Sequence, residues 1–90
     1  MSLSNGELER LGFFYTRSNQ GVWLSSVALD TKLGLRHSAC LVYRAIDREL
    51  RLNPRGASAK ELTKINNYNH LKAVLELTDW PALVQNLCPG

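Results

Sequence analysis

Four arginines lie between residues 44 and 55, in the stretch YRAIDRELRLNPRG. A guanidinium group is a planar fork of donors that matches carboxylate or phosphate oxygens two at a time, so a row of them is suited to an acidic partner. At 100° per residue, Arg44, Arg48 and Arg51 fall within about 60° of arc on one helical face. Asp47 stands three residues after Arg44 and four before Arg51. Ion pairs at those spacings are worth about 0.2–0.5 kcal/mol each and weaken the field that a phosphate would feel. The stripe therefore reads first as a solvated helix face and second as a docking surface. Glu49 is the odd residue of the segment, because its azimuth falls inside the apolar arc between Ala45 and Val42. A buried carboxylate needs a partner, found at the helix edge or across an oligomeric or partner interface.

A second polar group occupies residues 57–77, ASAKELTKINNYNHLKAVLEL. Ser58 and Glu61 match the capping box S-x-x-E, and NNYN separates that run from a second helical one. A capped helix, a break and a second helix carrying Lys60, Lys64, Asn67, Asn69, His70 and Lys72 resemble a helix-turn-helix, which supplies the nucleic-acid-binding alternative. The break is four polar residues without a glycine, so ordinary helix packing is the leading reading. Tyr68, in the break, offers contact area and a hydroxyl at small entropic cost and joins the arginines as a partner-binding residue.

Metal and catalytic chemistry find less to work with. The two histidines and two cysteines are the number a tetrahedral zinc site needs. His37 and Cys40 are three apart, however, while His70 and Cys88 are too distant for a ligand pair. No glycine-rich phosphate loop and no G-x-S-x-G occurs. A Cys40–His37 dyad has no third group to orient it. Neither an enzyme nor a bound metal or cofactor is expected.

The elements that must position these groups follow from punctuation and periodicity. Ninety residues fit one domain, 1–90. With 44% hydrophobic and 21% charged residues the chain should fold. The net charge of +3 is compatible with acidic partners but diagnoses none. Ser4 and Glu7 form a capping box, and Gly12 can end that first helix. FFYTRSNQGVWLSS reads as a β-hairpin within about residues 13–27, with Phe13 and Tyr15 on one face and Val22 and Leu24 sharing a face on the return; a helix running on to Arg17 is the rival. Ser25 or Ser26 caps VALDTKL before Gly34. Leu41, Val42, Ala45, Ile46 and Leu50 recur at three- and four-residue steps and predict a helix from Ser38 to Asn53, closed by Pro54. Helices over AKELTKI, HLKAVLEL and WPALVQNLC complete the count, the last capped by Thr78 or Asp79.

The expected fold is thus mainly α, a compact bundle of five or six short helices with one N-terminal hairpin. The expected function is a helical protein–protein interaction or adaptor domain that binds an acidic partner surface and can self-associate. No apolar run approaches the roughly 20 residues needed to span a bilayer. Without a basic, apolar leader at the start, a cytoplasmic or nuclear location follows as an expectation.

Overall fold

The computed structural model describes residues 3–16, 21–35 and 37–87. They form α1 (Asn5–Leu11), β1 (Phe13–Tyr15), β2 (Val22–Ser25), α2 (Val27–Leu33), β3 (Ala39–Arg44), β4 (Glu49–Pro54), β5 (Lys60–Lys64), α3 (Tyr68–Leu77) and α4 (Trp80–Leu87). The five strands make one antiparallel sheet in chain order, with β1 and β5 at its edges. The architecture is α/β, not a mainly α bundle.

Where local capping signals govern, the elements match them. Ser4 Oγ accepts from Glu7 N while the Glu7 carboxylate accepts from Ser4 N, and α1 ends at Gly12 with φ 106°. Ser26 Oγ accepts from Leu29 N, and α2 stops at Gly34 with φ 81°. Both glycines also lie against the next layer. A Cβ on Gly34 would sit 2.9 Å from Pro81 Cγ, and one on Gly12 would sit 2.9 Å from Leu29 Cβ. The first two strands pair with Tyr15 opposite Trp23, their rings edge to face with centroids 5.3 Å apart. The polar segment between them, with Arg17 and Asn19, lies outside the described residues, as does Cys88.

The central segment overturns the helical bundle. Residues 39–54 are two strands joined by a turn, with Leu41 opposite Leu52 and Tyr43 opposite Leu50. The helical steps are ambiguous, because Leu41 with Tyr43 and Leu50 with Leu52 also alternate on either side of 45–48. Ala39, Leu41 and Tyr43 share one face of β3, and Leu50, Leu52 and Pro54 share the same face of β4. Alanine, arginine, glutamate and leucine favour a helix locally, yet such propensity amounts to tenths of a kcal/mol per residue. Pairing as a hairpin leaves Leu41, Tyr43, Leu50 and Leu52 no more than 1% exposed, a larger gain. The turn is sealed by Glu49 N donating to Asp47 Oδ1 at 3.2 Å and by Arg48 in the left-handed region at φ 55°.

The segment 57–65 departs for the same reason. Lys60–Lys64 is the last strand, paired with β4 through a bulge at Leu50/Arg51, and Ile65 N donates to Arg48 O at 2.7 Å. The Ser58–Glu61 capping box is not formed, and the helix-turn-helix loses its first helix. α3 begins instead at Asn67, whose side chain accepts from His70 N. In α4, Ala82 N donates to Asp79 Oδ1 at 3.2 Å.

Leu8, Leu29, Leu71, Leu75 and Trp80 from the four helices pack with Phe13, Trp23, Leu41, Tyr43, Leu50 and Leu52 in a single core. All these strand residues point to one side, so the helices cover one face of the sheet. At the β2–α2 corner, Ser25 Oγ donates to Asp30 Oδ1 at 2.5 Å and accepts from Leu41 N at 2.8 Å. One hydroxyl thus joins two strands and a helix. Among the described residues no helix is long and apolar enough to cross a membrane.

Among the described residues Tyr43 Oη is buried without a hydrogen-bond partner, and burial pushes its phenol pKa up. An unsatisfied buried hydroxyl costs about 1–3 kcal/mol. Tyr43→Phe is therefore expected to keep or raise stability in urea unfolding, by up to about 2 kcal/mol, whereas Tyr43→Ala should lose about 3–5 kcal/mol. A Phe variant that unfolds more easily than wild type would contradict this account of the hydroxyl.

Candidate functional site

Side chains alternate across a strand, so the residues between the core positions point to the other face. The pairing registers align most of them in two adjacent rows, with Cys40 opposite Asn53 beyond these on the same face. Phe14, Leu24, Val42, Arg51 and Glu61 stand side by side across all five strands. Val22, Arg44, Glu49 and Lys64 form the neighbouring row across four. Among the described residues no helix covers this face. Phe14 is 48% exposed and Ile46, in the adjoining turn, 85%. Val22, Leu24 and Val42 are half-buried by their neighbours alone. Val22, Val42, Ile46 and the stems of Arg44 and Arg51 line a groove of about 460 Å3.

The charged half of the face is already partly paired. Arg51 Nε donates to Glu49 Oε1, and Arg44 Nη2 lies 3.5 Å from Asp47 Oδ2. Lys64 Nζ donates to the Asp47 carbonyl at 3.2 Å. The hydrogen bond from Arg51 holds the Glu49 carboxyl below its ordinary range, against the opposing pull of burial. The carboxylate singled out by its place in an apolar arc is therefore buried, and its partner comes from two residues along the same strand face.

The expected partner-binding set is only partly assembled. Arg44 and Arg51 share the open face, in adjacent rows on adjacent strands. Arg48 is exposed in the turn beside them. Tyr68 belongs to the helical layer, where it lines a separate cleft with Arg10, Leu29, Lys32 and Lys72. The nucleic-acid set is also divided. Lys60 and Lys64 are on the edge strand, Asn69 and Lys72 are exposed on α3, and Asn67 and His70 are engaged at the helix start. There Asn67 Oδ1 accepts from His70 N at 2.8 Å, and His70 Nδ1 accepts from Asn66 N at 3.0 Å. Those two side chains stabilise the beginning of α3.

His37 and Cys40 line a third cleft, of about 710 Å3, together with Asp30, Asn53 and Ser58. Burial, and then the Asp30 charge, push the Cys40 thiol up, while Asn53 Nδ2 lies 3.9 Å from its sulfur. A raised pKa leaves the thiol protonated near neutrality, the weaker nucleophilic form. Asp30 is itself raised by burial, with the Ser25 hydrogen bond opposing.

Sequence reasoning passed over Phe14, Leu24 and Val42. A signal existed: FFY, VWLS and CLVY place apolar residues at consecutive positions, so both faces of those strands carry them.

Because the folded pKa of Glu49 is lowered, its contribution to stability is present above the unfolded glutamate value of about 4.3 and is lost as pH falls through the folded value. Wild type should thus exceed Glu49→Gln in stability at neutral pH, and the gap should close below about pH 4. Urea midpoints measured across that range check this, and parallel curves would remove the ion pair from the account. No family model, no curated protein and no solved structure matches this chain.

Proposed function

We propose that this chain is a protein–protein interaction module that docks its partner on the open face of the sheet. The observation that carries the reading is the row Phe14–Leu24–Val42, an apolar band across three strands with no helix over it among the described residues. Contiguous exposed apolar surface rimmed by polar groups is the usual mark of an association site. The arginines contribute differently from a bare cationic stripe. Arg44 and Arg51 stand beside Asp47 and Glu49, so the rim offers both signs of charge. The fitting partner is then a protein surface with an apolar strip and flanking groups of both signs, rather than a uniformly acidic one.

Nucleic-acid binding has less support, since its basic and amide residues are spread over the edge strand and α3 and two of them are used in capping. A cytoplasmic or nuclear location goes with the proposal, in keeping with the Cys40 thiol, which is free among the described residues.

A photo-reactive amino acid placed at Val42 should give a discrete protein adduct in cells, while the same group at exposed Lys72 on α3 should not. Absence of an adduct at 42, or equal adducts at both positions, would remove the open face as the docking site.

A further inference from the structure

We propose that the protein seated on the open face is a second copy of this chain, held by a twofold axis that lies between the two sheets and runs across the strands. The inference rests on the docking reading above and names its occupant. The argument is the order of side chains along each strand. β2 presents Val22 and Leu24, β3 presents Arg44 and Val42, β4 presents Glu49 and Arg51, and β5 presents Lys64 and Glu61, each pair split between the two rows.

A twofold axis midway between the rows sets each row of one copy over the other row of its mate. Leu24 then meets Val22, Arg51 meets Glu49, and Glu61 meets Lys64. Apolar groups face apolar groups on β2, and opposite charges face each other on β4 and β5. On β3 the match sets Val42 under the aliphatic stem of Arg44, whose charged head extends to the rim, while Phe14, with no counterpart in the second row, lies at the end of the contact. Glu49 and Arg51, paired within each copy, would form an alternating four-membered ring of charge with their counterparts. Such an arrangement limits the penalty of removing them from water.

Moving the axis onto either row reverses the outcome. Arg51 would then stand over Arg51 and Glu61 over Glu61, or Glu49 over Glu49 and Lys64 over Lys64. Like charges in direct opposition are disfavoured, so the charge order selects one axis. An interface of this kind is isologous and closes at two copies.

Its size sets its strength. Strands about 4.8 Å apart and about 20 Å long give a five-stranded face of roughly 400 Å2. That is below the about 800 Å2 per partner of a stable complex. The dimer should therefore be a weak one, with a dissociation constant on the order of 100 µM.

Sedimentation velocity from about 10 µM to about 1 mM tests the proposal, since that range brackets the expected constant. Wild type should move from monomer to dimer. Val42→Glu and Arg51→Glu should each weaken association at least about tenfold. The double variant Glu49→Arg with Arg51→Glu exchanges the two charges and should retain self-association, weakened because the exchanged charges stand beside Arg44, Lys64 and Glu61 in their rows. Mixed with labelled wild type, it should form no heterodimer, because like charges would then oppose one another. A merely structural role for the pair would not produce that selectivity.

A wild type that stays monomeric throughout, or a double variant that mixes freely with it, overturns the twofold interface. If position 42 then gives a photo-adduct with a different protein, the open face keeps its docking role and only the second copy is lost. No adduct at all removes both.

Discussion

The register between β3 and β4 is the constraint from which both surfaces of the sheet derive. With Leu41 opposite Leu52 and Tyr43 opposite Leu50, one face of the hairpin is wholly apolar and receives the helices. A slip of a single residue would exchange every inward side chain for an outward one. Arg51 and Glu49 would then be driven together into the apolar core, where taking an ion pair out of water costs several kcal/mol per ion. The turn at 45–48 helps to exclude the slip, because Arg48 must take a left-handed conformation for the two strands to meet in this register.

That single choice divides the protein into a sealed side and an open one. On the sealed side the four helices each contribute at least one large side chain, and the Ser25–Asp30–Leu41 hydrogen bonds fasten the corner where β2 leaves the sheet. On the open side no element among the described residues returns to cover the strands. The residues there screen one another instead, through the pairing of Arg51 with Glu49 and the reach of Lys64 to the Asp47 carbonyl. The packed core and the surface proposed for docking are thus separated by the thickness of one sheet. Most changes on the outward side leave the core packing as it is, Glu49 with its ion pair being the exception.

Much of the periphery was legible in the sequence, and much of the centre was not. Ser4, Gly12, Ser26, Gly34 and Asp79 act on their immediate neighbours, so their signals do not depend on the remainder of the chain. The stretch from Ala39 to Pro54 depends on partners elsewhere. Its leucines satisfy a helical step and a strand alternation at once, and the choice falls to β2 and β5, which lie on either side of it. Ser58 and Glu61 show the same limit, since a correct capping spacing gave way to an edge strand joining β4. For the site, the arginines were visible as a group but their geometry was not. Arg44 and Arg51 share a face through cross-strand register rather than helical periodicity. The apolar half of that face was hidden because Phe14, Leu24 and Val42 could equally be assigned to the core.

The two borders of the sheet bear on what happens when molecules crowd together. β1 is only three residues long, and β5 carries Lys60, Glu61 and Lys64 along its outer margin. Short or charged margins make poor templates for another backbone, since an incoming strand finds few amides to bond and must bring ammonium groups close together. Growth by adding sheet to sheet sideways, the route towards fibrils, is thereby discouraged. In the proposed twofold arrangement, contact over the face would close at two copies, while short and charged margins oppose extension sideways.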